Sequence, residues 1–86
     1  MEEKYLKIPE SIIMDKNISA REKILYGMIS LMSHQHGYCY ATNQFFADEL
    51  HVTKRTITTL VSHLKSEGYI KVELDDRYIR KIFINE

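Results

Sequence analysis

The chain has 86 residues, of which 12 are basic and 12 acidic, so its formal charge is zero, and 44% of its residues are hydrophobic. This composition predicts one globular domain over residues 1–86 and excludes a disordered chain. No apolar run approaches about 18 residues and no hydrophobic signal core opens the chain, so we expect a cytoplasmic protein rather than a membrane or secreted one.

The first predicted helix begins after Ser19. Residues 1–18 precede it, and because Pro9 disfavours helical backbone in the residue before it, we expect this segment to be extended. Ser19 and Glu22 have the spacing of a capping box, in which each side chain accepts a hydrogen bond from a free backbone N–H group. Apolar residues at helical spacing predict that this helix continues to about His34.

Two more helices are predicted after a short aromatic strand at residues 38–40. Thr42 is a good N-cap for the second helix, which must end by His51. Thr53 is predicted to cap a third helix over residues 53–66. The apolar residues of the third helix recur at i, i+3, i+4 and i+7 and define one buried face: Ile57, Leu60, Val61 and Leu64.

The chain is predicted to end in an antiparallel hairpin over residues 69–85. Residues 69–74 alternate between apolar and polar side chains, residues 78–84 are rich in β-branched and aromatic side chains, and residues 75–77 suit a tight turn. The order of elements predicts an α+β fold, a winged helix-turn-helix with three helices and a small antiparallel sheet. Its helix-turn-helix spans residues 42–66 and the hairpin is the wing.

The turn between the second and third helices departs from the usual pattern at one position. Such turns usually place glycine where the backbone needs a positive φ, and here the residue is His51. Histidine tolerates this conformation better than a β-branched residue does, so the pattern still predicts a helix-turn-helix. The small Ala47 allows the third helix to approach closely.

The outer face of the third helix carries polar side chains that are rich in hydrogen-bond donors and mostly short. Ile57 and Leu60 are taken as pointing inward, with about 100° of rotation per residue. The opposite face then carries Arg55, Thr59, Ser62 and Ser66. Arginine suits a bidentate contact to guanine, and short hydroxyl side chains suit other base edges. Lysines near both helix ends and the start of the second helix suit phosphate contacts. The predicted DNA-binding residues are Thr42, Asn43, Gln44, Thr53, Lys54, Arg55, Thr56, Thr58, Thr59, Ser62, His63, Lys65, Arg77 and Arg80.

The wing is open to two interpretations. Arg77, Arg80 and Lys81 form a basic cluster that suits phosphate, but Asp75 and Asp76 place acids at the tip of the hairpin. An edge hairpin kept soluble by its charges is therefore as plausible as a wing that contacts DNA. The third helix also has an alternative interpretation. It can be an amphipathic helix whose outer face contacts only solvent and does not read DNA.

Metal binding and catalysis are not predicted. His34, His36 and Cys39 are zinc-ligand types, but a fourth ligand at suitable spacing is missing. No nucleophile, base and orienting acid are grouped and no glycine-rich phosphate loop occurs, so we expect neither an enzyme nor a cofactor or small-molecule ligand. The single Cys39 cannot form an internal disulfide, which agrees with a reducing compartment.

Four segments have a pattern that occurs in a known group of proteins. They are residues 5–9 (YLKIP), 17–26 (NISAREKILY), 37–43 (GYCYATN) and 52–57 (VTKRTI). Together they resemble the winged-helix module at the front of phage replisome organisers, plasmid replication initiators and DnaD-like proteins. The resemblance implies origin or operator DNA as the ligand, held by the helix that begins at Thr53, and self-association as a homodimer through the N-terminal segment.

The resemblance implies a role in replication initiation or in transcriptional regulation, because small regulators use the same module. The alternative from another class is a winged-helix module for protein–protein interaction without DNA binding. Zero net charge, the acidic hairpin tip and six tyrosines favour that alternative.

Overall fold

The structure, a computed structural model, describes residues 6–85. Residues 1–5, which belong to the predicted N-terminal segment, and Glu86 lie outside the described residues. The described part contains α1 (Glu10–Ile13), α2 (Ala20–Met32), α3 (Asn43–Leu50), α4 (Lys54–Ser66), β1 (Ile70–Leu74) and β2 (Arg80–Ile84). This order confirms the predicted α+β winged helix-turn-helix, with one short additional helix before it.

The prediction of an extended segment over residues 1–18 is wrong where α1 forms. Pro9, at φ −56°, is the N-cap of α1, and its carbonyl accepts a hydrogen bond of 3.0 Å from the backbone N–H of Ile12. The fixed φ of proline suits a helix start, and the missing N–H has no partner to lose there. Burial of Ile12, which is 3% exposed, anchors this turn to the core.

The predicted capping box at the start of α2 is confirmed. The Ser19 hydroxyl accepts a hydrogen bond of 3.2 Å from the backbone N–H of Glu22, and the Glu22 carboxylate accepts one of 2.9 Å from the backbone N–H of Ser19. The helix ends at Met32, close to the predicted boundary. Leu25 and Ile29 are fully buried and place α2 in the centre of the core.

Gly27 allows the N-terminal segment to pack closely on α2. A Cβ atom at this position would lie 3.0 Å from Cγ1 of Ile8 and 3.3 Å from Cβ of Leu6, which is tighter than ordinary contact. The segment therefore lies against a helix of its own chain, and among residues 6–85 no strand pairs with it. Homodimerisation through this segment stays a prediction.

The helix-turn-helix has the predicted caps at both helix starts. The hydroxyl of Thr42 accepts a hydrogen bond of 3.1 Å from the backbone N–H of Phe45, and the hydroxyl of Thr53 accepts one of the same length from Thr56. His51 ends α3 in the left-handed conformation, at φ 56° and ψ 44°. The positive φ that the template requires is thus present although the residue is not glycine.

The core lies where α2, α3 and α4 meet the inner face of the hairpin. Ala47 is 3% exposed at the crossing of α3 and α4, as its small side chain predicts. The predicted inward face of α4 is confirmed, because all four of its apolar residues are buried: Ile57, Leu60, Val61 and Leu64.

The sheet pairs β1 with β2 in antiparallel register, from Ile70 opposite Ile84 to Leu74 opposite Arg80. The predicted strand at residues 38–40 is reduced to one bridge, in which Cys39 and Ile82 exchange two backbone hydrogen bonds of 2.8 Å. Both bridge residues are fully buried. The single bridge holds the loop after α2 against the edge of β2.

The loop of the hairpin is wider than the predicted tight turn, since residues 75–79 separate the strands. One carboxylate oxygen of Asp75 accepts hydrogen bonds from the backbone N–H groups of Arg77, at 2.8 Å, and Ile79, at 3.0 Å. Tyr78 has φ 61° and is 84% exposed, so this part of the loop lies outside the core. Leu74 is consequently 63% exposed, so the half-buried pattern predicted for the first strand ends before this residue.

Candidate nucleic-acid interface

The exposed face of α4 carries the three residues predicted to read bases. Arg55, Thr59 and Ser62 are all exposed, on the side opposite the buried apolar face. The Thr59 hydroxyl donates a hydrogen bond of 3.2 Å to the carbonyl of Arg55 and keeps its acceptor capacity. Within residues 6–85, the side chains of Arg55 and Ser62 make no hydrogen bond or ion pair, so their donors are available to a ligand.

The electrostatics of α4 favour an anionic ligand. Lys54 and Lys65 lie near its two ends and are exposed, and neither forms an ion pair with any described residue. No acidic residue occurs between them. Because nearby acids are absent from the helix itself, the positive charge of its two lysines and of Arg55 is not cancelled locally.

A hydrogen-bonded network joins the wing to both helices of the helix-turn-helix. The guanidinium of Arg80 donates hydrogen bonds to Oδ1 of Asn43, at 2.6 Å, and to the carbonyl of Ala41, at 2.7 Å. The amide of Asn43 donates to the Thr58 hydroxyl at 3.1 Å. Burial lowers the pKa of Arg80, which is half-buried. Two predicted contacts, Asn43 and Arg80, thus position the helices relative to the hairpin.

A groove runs between α4 and the hairpin beside this network. Its volume is about 220 Å³. The groove brings together five of the predicted DNA-binding residues with two apolar side chains; its lining is Asn43, Thr58, Ser62, Lys65, Arg80, Val61 and Val72.

The start of α3 is arranged as a helix N-terminus open to an anion. The Thr42 hydroxyl is used as the cap, and the N–H groups of the following first turn, at Asn43 and Gln44, have no intrahelical acceptor. The Gln44 side chain turns along the helix and donates a hydrogen bond of 2.8 Å to Asp48. The free donors at this end are therefore the backbone N–H groups together with the second N–H of the Gln44 amide.

Comparison with known proteins decides the family. The profile of the helix-turn-helix domain family matches residues 16–70, which include α2, α3 and α4. The chain belongs to the helix-turn-helix domain family. No significant match was found among curated proteins or among solved structures. Helix-turn-helix domains are in general DNA-binding modules, so the family supports DNA as the class of partner.

Three of the predicted DNA-binding residues of this helix-turn-helix domain make contacts within the protein: Thr53, Thr56 and His63. The hydroxyls of Thr53 and Thr56 lie 3.1 Å apart, and Thr53 caps α4. Nδ1 of His63 lies 2.5 Å from Oε2 of Glu22, whose side chain is 6% exposed. His63 therefore points along the flank towards α2 and ties α4 to the capping box there.

This Glu22 partner was not predicted from the sequence. The capping-box pattern assigns only one of the two carboxylate oxygens of Glu22, and the second oxygen is the one that His63 contacts. The signal in the sequence was that the capping box leaves the second carboxylate oxygen of Glu22 without a partner. The structure shows that Glu22 is buried, and a buried carboxylate oxygen requires a hydrogen-bond donor.

The tip of the wing of the helix-turn-helix domain exposes the tyrosine Tyr78, and the carboxylate of Asp75 there accepts hydrogen bonds from its own loop. Hydrogen bonds, first from the backbone N–H of Ile79 and then from Arg77, hold the pKa of the Asp75 carboxyl below its usual range. Arg77 lies 3.3 Å from this carboxylate, and its side chain is 77% exposed. Tyr78 is 84% exposed at the end of the loop. The tip can therefore offer Arg77 to phosphate, while Asp76 remains an exposed acid.

The zinc-ligand types noted in the sequence do not assemble. Cys39 is fully buried, whereas His34 and His36 are exposed. Across residues 6–85, no three side chains of the metal-binding types come together. In the same part of the chain, no helix is long and apolar enough to cross a membrane.

Proposed function

We propose that this helix-turn-helix domain binds duplex DNA sequence-specifically, with α4 in the major groove. The observation that carries the proposal is the two-sided character of α4: its apolar face is entirely buried, and its opposite face exposes Arg55, Thr59 and Ser62 without an acid. The major groove of B-DNA is about 12 Å wide and admits an α-helix whose polar side chains reach base edges.

Phosphate contacts fix the position of α4 in this arrangement. Lys54 and Lys65 are separated by roughly 16 Å along the helix axis, at about 1.5 Å per residue, so they reach the backbone on either side of the bases. The N-terminus of α3, at Asn43 and Gln44, offers backbone N–H groups to a further phosphate. Arg77 at the wing tip lies 3.3 Å from the Asp75 carboxylate, and its side chain is 77% exposed and offers a further cation to phosphate.

The biological role that we infer is non-enzymatic and lies in replication initiation or transcriptional regulation. It is supported by the resemblance of residues 37–43 and 52–57 to the modules of replisome organisers and replication initiators. The ligand is then origin or operator DNA. Such sites commonly have two halves that match a protein dimer, and the homodimer inferred from the same resemblance fits that arrangement.

Selection of bound duplexes from a random pool, followed by fluorescence anisotropy of the selected sequence across a salt series, tests the proposal. Arg55→Ala should weaken the selected duplex more than a random one, by about 1–3 kcal/mol of discrimination. Lys65→Ala should weaken both duplexes equally and reduce the salt slope by about one. Lys16→Ala, an exposed cation outside the site, is the control. Absence of salt-dependent binding at low salt would refute the proposal.

A protein-interaction module is the second candidate, because the hairpin exposes apolar side chains. Leu74, Tyr78 and Ile79 are 63%, 84% and 38% exposed at its tip. If duplex binding is absent while Tyr78→Ser abolishes capture of a specific protein partner, this second function replaces the first.

A further inference from the structure

The outer face of the sheet carries a cluster of aromatic side chains that the proposed duplex site does not use. Because side chains alternate along a strand and the bridged pair Cys39 and Ile82 points into the core, their neighbours point outward. We call the resulting surface the aromatic platform; it consists of His36, Tyr38, Tyr40 and Phe83 together with Lys81.

The rings of the aromatic platform form one connected surface. The centroid of Tyr38 lies 5.7 Å from that of Phe83, 6.3 Å from Tyr40 and 6.0 Å from His36, and His36 lies 5.8 Å from Tyr40. The interplanar angles of these pairs range from 35° to 62°, so the rings tilt against one another rather than stack. Tyr40 remains 58% exposed, so part of its ring is accessible to a further planar group.

The charge around the aromatic platform is positive. Nζ of Lys81 lies 4.8 Å from the centroid of the Tyr38 ring, in a cation–π contact. The acid opposite Lys81 in the sheet register is Glu73, whose carboxylate lies 2.8 Å from Nζ of Lys71. Glu73 is paired with Lys71, and Lys81 forms no ion pair with any described residue, so the ammonium of Lys81 is available to an anionic ligand.

A groove adjoins the aromatic platform on the side of Tyr40. Its volume is about 450 Å³, within the range of about 300–1,000 Å³ that is usual for ligand sites. His36 and Tyr40 belong to both the platform and the groove, whose other walls include Met32 and Gln35. No acidic residue lines it.

We propose that the aromatic platform and this groove form a second nucleic-acid site, which binds unpaired nucleotides of single-stranded DNA. Bases stack on the exposed rings of Tyr40 and His36, and Lys81 neutralises a neighbouring phosphate. Exposed rings next to cations are the usual means of binding single strands, because every base has a π-face that a ring can cover. Bases inside a duplex are already stacked and are not available to such a surface.

The second site is separate from the groove beside α4. That groove is lined by Val72 and Arg80, whereas the platform uses Lys81 and Phe83, the alternating positions of the same hairpin. The two sites therefore lie on opposite faces of the sheet. The inference goes beyond duplex binding and does not depend on it.

Anisotropy of a fluorescein-labelled oligo-dT of about 16 nucleotides tests the second site. Tyr40→Leu, which removes the ring but keeps an apolar side chain, should weaken binding roughly 5- to 100-fold, as expected for the loss of one stacked base. Tyr40→Phe should retain binding. Tyr78→Leu is the matched control, because it removes another exposed tyrosine, one that makes no ring contact with the described residues of the platform.

Two companion measurements make the result decisive. Tyr40→Leu should leave duplex affinity unchanged, and Arg55→Ala should leave oligo-dT affinity unchanged. The two measurements therefore test the two proposed sites independently. If Tyr40→Leu does not fold, Lys81→Gln replaces it and should weaken oligo-dT binding and lower its salt slope. Unchanged oligo-dT affinity in the platform variant, loss of both affinities in Arg55→Ala, or tighter binding of oligo-rU would overturn the proposal.

Discussion

The left-handed residue in the turn of the helix-turn-helix gives a quantitative test of the backbone argument. His51 has φ 56° and ψ 44°, is exposed, and its side chain makes no hydrogen bond or ion pair with residues 6–85. Substitution of His51 by glycine therefore changes the backbone preference and little else. We expect His51→Gly to stabilise the fold and His51→Val to destabilise it.

The magnitude follows from two opposing effects. A residue with a Cβ pays about 1–2 kcal/mol in the left-handed conformation, which glycine avoids. Glycine also makes the unfolded chain more flexible, and this costs about 0.4–1 kcal/mol. The expected net gain for His51→Gly is about 0.5–1 kcal/mol, which corresponds to a rise in Tm of about 2–8 °C for a domain of this size.

The reverse substitution, from glycine to a residue with a Cβ atom, can be made after α4 at Gly68. Gly68 has φ 82°, and a Cβ added there would meet no atom within 4 Å, so Gly68→Ala introduces the same backbone strain without a steric clash. It should lower the free energy of unfolding by about as much as His51→Gly raises it. Urea unfolding and thermal melting of the three variants measure these changes. Equal destabilisation by His51→Gly and His51→Val would refute the reasoning, because the backbone would then not be the determinant.

Two further predictions concern long-range contacts. Arg80→Met keeps the aliphatic stem but removes the hydrogen bonds to Asn43 and Ala41, and should lower the free energy of unfolding by about 1–2 kcal/mol in urea titrations; an unchanged midpoint would contradict it. The hydroxyl of Tyr69 donates a hydrogen bond to Asp15 and holds the pKa of that carboxyl below its usual range. The contact therefore stabilises the fold fully at a pH above the pKa of Asp15 in the unfolded chain, which is about 4. This stabilisation is lost as the pH falls through the lower pKa of Asp15 in the folded state. The difference in Tm between the native chain and Tyr69→Phe should therefore be largest near neutral pH and shrink below about pH 4, whereas a difference independent of pH would exclude the carboxylate as its cause.

The predictions from sequence succeeded where the determinant is local. Ser19, Thr42 and Thr53 were identified as caps because each acts on a backbone N–H group three residues away. The buried face of α4 follows from the period of its own apolar side chains. Even the positive φ of His51 follows from the template of a short turn between two helices.

The predictions were incomplete where residues far apart in the sequence meet. Arg80 and Asn43 are 37 residues apart, and Glu22 and His63 are 41 apart, so no spacing rule links them. The short helix α1 depends on the burial of Ile12 against the core rather than on a strong helical pattern of its own. The aromatic platform likewise exists only because the bridge to β2 brings the loop after α2 beside Phe83.

The bridge between Cys39 and Ile82 makes the one thiol of the chain a reporter of local opening. Cys39 is fully buried, and burial raises the pKa of its thiol, so both access and the reactive thiolate are suppressed in the closed molecule. A thiol reagent reacts only after the loop has detached from β2. The ratio of the labelling rates of native and denatured protein thus measures the free energy of detachment at this bridge, separately from global unfolding. A nucleotide bound to the aromatic platform would slow that labelling.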